Sequence, residues 1–159
     1  LEAATTAPVR VLHLSCHGYF NTEDALASGV LLADGVYTAR EFMRRRLRVD
    51  LVTLSACQTA ISDSLGGDEM AGLSMALLSA GAGALLLGLW SVDAVTTAFL
   101  MDAFYERLGA AEGNGATRAA TLRETMLALR DGHILPPGPN FDPADPYYWA
   151  PFVLMGDWR

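Results

Sequence analysis

Asp50-Leu51-Val52-Thr53-Leu54-Ser55-Ala56-Cys57-Gln58-Thr59 is a short apolar run that stops at a cysteine, with glycines soon after it. A run of this length, rich in Leu, Val and Thr, reads as a buried strand. Its end would set the Cys57 sulfur at the carboxyl edge of a sheet, where open α/β folds keep their sites. A second run, Val9-Arg10-Val11-Leu12-His13-Leu14-Ser15-Cys16, has the same shape and stops at His17-Gly18. Two neighbouring parallel strands ending in His17 and Cys57 would bring a base and a nucleophile face to face.

The rest of the chain alternates strand and helix around that pair. The near-continuous apolar character of 9–15 predicts a strand buried on both faces. Val30 to Ala33 and Val36-Tyr37 flank Asp34-Gly35, a hairpin signal. Thr38-Ala39-Arg40-Glu41 is a capping box that opens a helix over Phe42, Met43 and Leu47. Arg44, Arg45, Arg46 and Arg48 read as its solvated face rather than as a patch for an acidic partner. Asp68 and Glu69 start a helix through Leu73, Leu77 and Leu78, with Gly81 and Gly83 as its end. A third strand, 84–90, runs into Ser91-Val92-Asp93.

A helix over about 94–108 places Val95, Ala98, Met101, Phe104 and Leu108 on one side. Another, over about 116–130, carries Ala119, Leu122, Met126 and Leu129 and stops at Gly132. Residues 133–146 hold five prolines and read as an irregular loop. A last strand, Trp149 to Met155, contains Pro151, which predicts an edge position. The order of elements predicts a parallel sheet covered by helices. Residues 1 to 7 look like the tail of a helix, and a first strand with nothing before it to pair or cover it would be a bare apolar edge. One or more further strands, from elsewhere in a longer chain or from a partner chain, are expected to complete the sheet.

Composition limits the function classes. The chain has 159 residues, 52% hydrophobic and 18% charged, a single-domain length with ample core. Its net charge is −7, and its eleven basic residues are all arginine. An acidic domain is a poor phosphate binder, so nucleic acid is not an expected partner. Without lysine, Walker-type phosphate loops and Schiff-base chemistry are excluded. Two cysteines, Cys16 and Cys57, do not make a disulfide framework and fit a reducing compartment. The apolar run Ala80 to Trp90 is about half the length of a membrane span. The chain reads as soluble and cytoplasmic, with no membrane partner.

A thiol at a strand end is activated when a neighbouring imidazole takes its proton or protonates the leaving group. The forty residues from His17 to Cys57 are enough for a hairpin, a helix and a return strand. Gly18 permits close backbone approach, and its N–H together with that of Cys57 could hold an oxyanion. The competing reading makes Cys57 a small core hydrophobe and His17 a hydrogen-bonded strand end. His13 reads as a satisfied core histidine, and Cys16 as structural or redox-active. Gly72-Leu73-Ser74-Met75-Ala76 resembles a nucleophile elbow but lies within a helix.

His17-Gly18 after an apolar strand, and then Leu54-Ser55-Ala56-Cys57-Gln58-Thr59, resemble the CHAT domains of the caspase-like and separase-like cysteine peptidases. The likeness continues through Gly66-Gly67-Asp68-Glu69, Ser79-Ala80-Gly81-Ala82, Leu89-Trp90-Ser91-Val92-Asp93 and Tyr147-Tyr148-Trp149-Ala150-Pro151-Phe152. The resemblance implies a caspase-like three-layer α/β sandwich, with a mostly parallel sheet, a small β-hairpin and two strands ahead of the histidine strand. It implies His17 as acid/base and Cys57 as nucleophile of a cysteine endopeptidase that needs no metal or organic cofactor. Gln58 stands where the family often has Glu.

Trp90, Ser91, Asp93 and Ser55 are assigned by the same likeness to the substrate-binding wall. Asp93 would pair there with an arginine or lysine before the scissile bond. Asp63, Asp68 and Glu69 are weaker candidates, and Asp93 equally reads as the cap of the helix that follows it. The expected partners are a protein substrate and a helical-repeat sensor region, in a bacterial protein. Two other classes remain open: a non-catalytic interaction domain of the same fold, and a flavodoxin-like domain that binds a small molecule.

Overall fold

A computed structural model describes residues 3–55, 67–91, 93–111, 115–137 and 141–159. These divide into a sheet unit, residues 1–91 with 153–157, and a helical unit, residues 92–152 with 158–159. The chain is mixed α/β, with a mostly parallel main sheet, helices and a small antiparallel sheet.

The sheet unit opens with α1 (Ala3–Thr6) and β1 (Val9–Leu14), followed by β2 (His17–Tyr19), β3 (Gly29–Leu32) and β4 (Gly35–Thr38). Next come α2 (Ala39–Met43), β5 (Val49–Leu54), α3 (Gly67–Ala80) and β6 (Ala82–Gly88). The main sheet has the order β1-β5-β6-β7, where β7 is Phe152–Gly156. β1 and β6 each pair parallel to β5, in the registers Leu14↔Leu54 and Leu54↔Leu87. The Asp157 N–H donates to the Gly83 carbonyl at 2.9 Å, so the end of β7 lies at the start of β6 and the two run opposite ways.

The central strands behave as parallel strands should. Val49 and Leu51 to Leu54 of β5 are buried, as are Ala84 to Leu87 of β6. Each fully buried aliphatic side chain there contributes about 1.5–3 kcal/mol. β1 corrects the sequence reading, because none of its six residues is buried and Arg10 and His13 are exposed. Its apolar run predicts two-sided burial, but as an outer strand of the described sheet it has a neighbour on only one edge. The edge position inferred for the final strand from Pro151 holds. That strand starts at Phe152, however, since Asp145 caps a short helix α6 (Pro146–Trp149) that takes Trp149, the expected first strand residue.

Local signals explain the hairpin and its helix. The two turn residues are Ala33 and Asp34, one position earlier than Asp34-Gly35, because Gly35 opens β4 opposite Leu32 with φ 128°. The capping box is present as read: the Thr38 hydroxyl accepts from the Glu41 N–H, and the Glu41 carboxylate accepts from the Thr38 N–H. α2 stops at Met43, so Arg44 to Arg46 lie exposed beyond it rather than along it. α3 covers the expected Asp68–Ala80 stretch, including the elbow-like Gly72–Ala76. Gly83, read as part of the helix end, instead belongs to β6.

In the helical unit, α4 (Ala94–Ala111) and α5 (Arg118–Arg130) pack together, and α6 packs on α5. α4 buries Thr96, Leu100, Met101 and Phe104, while Val95 and Ala98 are exposed. The predicted stripe thus holds at Met101 and Phe104 and fails at its start, where Thr96 and Leu100 are buried in place of Val95 and Ala98. Thr96 could not be counted as a core position from its chemistry, yet its amide and hydroxyl are both satisfied by Asp93. In α5, buried Thr121 and Thr125 donate to the carbonyls of Thr117 and Thr121, which lets hydroxyls occupy apolar-facing positions. Asp131 and Gly132 (φ 73°) end α5 where the sequence predicts. Among the described residues, no helix is long and apolar enough to cross a membrane.

Two glycines separate the cost of a positive φ from that of a collision. A Cβ at Gly35 would meet nothing within 4 Å, whereas one at Gly81 (φ 113°) would strike the Leu47 carbonyl oxygen. Leu47 cannot step back, because its N–H donates to the Ala80 carbonyl at 2.6 Å. Gly35→Ala is expected to lower stability by about 1 kcal/mol and Gly81→Ala by about 3 kcal/mol, measured by denaturant unfolding. Equal losses would show that the collision is relieved without cost.

Candidate functional site

Three strands deliver their following residues to one edge of the main sheet. Their ends are level, with Leu14, Leu54 and Leu87 side by side in adjacent parallel strands. Ser15 to His17 leave β1 there, Ser55 leaves β5, and Leu89 to Ser91 leave β6. The Ser55 N–H donates to the Leu14 carbonyl at 3.2 Å, which carries the ladder one residue past the strands. The predicted convergence of the histidine and cysteine segments is thus present in the backbone up to Ser55. Cys57 and Asp63 lie outside the described residues, as do the side chains of Asp68 and Glu69.

His17 is not the last residue of the parallel strand, as the sequence suggested. β1 stops at Leu14, and His17 begins β2, opposite Leu31 of β3. Its side chain is therefore held by the small antiparallel sheet, on the solvent-exposed side. Gly18 follows it in β2, opposite Val30, which is fully buried. Cys16 is half-buried against the main core, and desolvation raises its pKa. It stays a protonated thiol at neutral pH and is poorly suited to attack a carbonyl, as the structural reading of Cys16 expected.

The residue that sequence reasoning placed wrongly is His13. It is exposed rather than in the core, and its Nε2 lies 2.6 Å from Ser55 Oγ. The level strand ends could have revealed this pair. His13 faces Thr53 across the ladder, so Ser55, two residues on, shares its side of the sheet. Ser55 is consequently tied to β1 twice, through its amide and through its hydroxyl. Desolvation lowers the His13 pKa, so the ring is neutral at pH 7 and one of its nitrogens can accept a proton in this bond.

Trp90 and Ser91 sit at the same edge beyond β6, with Trp90 partly buried and Ser91 exposed. Asp93 belongs to the helical unit and caps α4 there. Its Oδ1 accepts from the Thr96 N–H at 2.8 Å and from the Thr96 hydroxyl at 3.0 Å. The capping reading of Asp93 therefore holds, and it engages one carboxylate oxygen.

Comparison with known proteins gives two results. The family model described as CHAT domain matches residues 1–157. Tetratricopeptide repeat protein 28 of Mus musculus is 31% identical over 125 residues, 79% of this chain and 5% of that protein. The Homo sapiens protein of the same name is 30% identical over 125 residues, 79% of this chain and 4% of that protein. The chain thus spans about a twentieth of the length of these relatives, and both are mammalian, which lends no support to the expected bacterial origin.

The His13 shift carries a sign. A histidine whose folded pKa lies below its ordinary 6.5 binds fewer protons than the unfolded chain between those two values. The stability it contributes is complete above pH 6.5 and is lost as pH falls through the folded value. His13→Gln, which can still bond Ser55, is expected to flatten the fall in unfolding midpoint between about pH 7 and 5 relative to wild type. Parallel curves for the two proteins would show that His13 titrates alike in the folded and unfolded chain.

Proposed function

This chain belongs to the CHAT domain family, and on that premise we propose that it is a cysteine endopeptidase domain with His17 and Cys57 as its dyad. The observation that supports this most is the level, adjacent parallel exit of β1 and β5, in the register Leu14↔Leu54. Both strands end at the same sheet edge, and in the sequence His17 and Cys57 each follow three residues after those ends. Desolvation raises the pKa of Cys16, the other thiol, which favours Cys57 as the proposed nucleophile.

In the proposed reaction the Cys57 thiol gives its proton to His17 as the sulfur bonds to the scissile carbonyl carbon, and the N–H groups of Gly18 and Cys57 receive the oxyanion formed from the carbonyl π electrons. The C–N bond breaks as His17 gives a proton to the departing amine. A water molecule, deprotonated by His17, then attacks the thioester and regenerates the thiol, with release of the carboxylic acid. This chemistry calls for no metal or organic cofactor. Asp93 supplies the negative charge for an arginine or lysine before the scissile bond, with Trp90, Ser91 and Ser55 on the substrate wall. A repeat-containing region is the proposed regulator, in keeping with the name of the two relatives. The second reading is a non-catalytic interaction domain of the same fold.

The test is intact mass after incubation with peptide chloromethyl ketones ending in arginine or in aspartate. One adduct on wild type, lost in Cys57→Ala, slowed in His17→Ala and absent from Cys16, is the expected result. Asp93→Asn is the right probe of the pocket, because asparagine still caps α4 while the charge is removed; alanine would also lose about 1 kcal/mol of cap. Loss of arginine selectivity in Asp93→Asn supports the pocket, and unchanged selectivity removes Asp93 from it. No adduct on Cys57 in the full-length protein with its regulator present favours the interaction domain.

A further inference from the structure

The small sheet is two-faced, and His17 stands on its open face. Antiparallel partners project to the same side, and successive residues alternate. His17 and Tyr19 of β2 therefore share a face with Leu31 of β3 and Val36 of β4, given the pairs His17↔Leu31 and Leu31↔Val36. The other face bears Val30, fully buried, and Tyr37, which packs on the core and meets Phe42 edge-on with ring centroids 4.7 Å apart. Core packing on one side explains the apolar residues there. It does not explain Tyr19 and Leu31, which are 45% and 47% exposed. Two large apolar side chains left in solvent on either side of a histidine point to an occupant.

We infer that Tyr19 and Leu31 form an apolar shelf for the substrate residues on the leaving-group side of the scissile bond. The inference rests on the peptidase reading above, in which His17 protonates the departing amine. The polypeptide beyond that amine must then begin at His17 and continue over the surface that surrounds it. Leu31 lies across the ladder from His17, about 5 Å away, and Tyr19 lies two residues along, about 7 Å away. An extended peptide places its first and second residues after the bond within that reach. The shelf carries no charge of its own beside His17, so it selects apolar side chains at these positions. Tyr19 can also accept a backbone N–H at its rim.

The test compares two kinds of substrate with one acyl half, arginine- or aspartate-terminated, whichever labels Cys57. In one the leaving group is aminocoumarin, which has no residues after the bond. In the other it is a peptide beginning Leu-Leu, Ser-Ser or Asp-Asp. The full-length protein with its regulator is expected to cleave the Leu-Leu peptide with a kcat/KM about tenfold above the Ser-Ser peptide. Tyr19→Ser and Leu31→Ser should each erase most of that ratio while leaving aminocoumarin release unchanged. Both side chains are exposed, so the fold should tolerate the changes, and unchanged aminocoumarin release reports that it has. Cleavage with equal rates for Leu-Leu and Ser-Ser, or a ratio that survives both substitutions, overturns the shelf alone. Absence of any Cys57-dependent cleavage overturns the peptidase reading, and the shelf falls with it.

Discussion

The parallel pairing of β1 with β5 is the constraint on which the rest of the site depends. A parallel pair cannot be closed by a tight turn, so the chain between the two strands must cross over and return. The crossover here contains the small sheet and α2, and it is anchored at both ends by the pair itself. Register then acts at the exits, because Leu14 opposite Leu54 makes the segments that follow leave the sheet at one level. A slip of one residue would turn every side chain of β5 to the other face and break the packing of Leu51 and Val52, which are buried on opposite faces in the present register. The burial of those residues, at about 2 kcal/mol each, is what holds the exits level.

That packing in turn depends on absent side chains. Gly29, Gly81 and Gly83 each stand where a Cβ would strike a backbone atom of a neighbouring segment: Tyr37, Leu47 and Asp50 respectively. The first lets β4 close on β3. The second and third let β6 enter directly from α3 and lie against β5. Only the second needs an unusual φ as well, so the three are alike in purpose and different in cause. Backbone atoms at such contacts cannot rotate away as a side chain could, which is why small residues cluster at the foot of the sheet.

Much of this was legible in the sequence, and the failures share a reason. The capping box at Thr38–Glu41, the stop at Gly132, the parallel order of the sheet and the outer place of the last strand rest on local chemistry or short-range pattern. The misplaced features concern which side of an element finds a partner. β1 is as apolar as a central strand and is not buried, since apolar pattern reports what a strand could bury and not what lies beside it. The α4 stripe holds at Met101 and Phe104 but misses Thr96, because a buried threonine satisfied by Asp93 looks polar to a hydrophobic count. His13 was assigned to the core by residue type, and only the strand register brings it to Ser55. At the sheet edge the level exits of β1 and β5 were readable, whereas the β2 placement of His17 was not.

That placement changes how the histidine is held. At the free end of a parallel strand, its ring would be aimed by a loop. Within β2 it is aimed by a ladder, with the Gly18↔Val30 pair next to it packed on the core. A histidine oriented by a sheet face is directed by every residue that sets the register of that face, including the Ala33-Asp34 turn and Gly35. The hairpin is therefore part of the site's rigidity, and not an ornament beside it. The same ladder that orients His17 sets Tyr19 and Leu31 beside it on the exposed face of the small sheet.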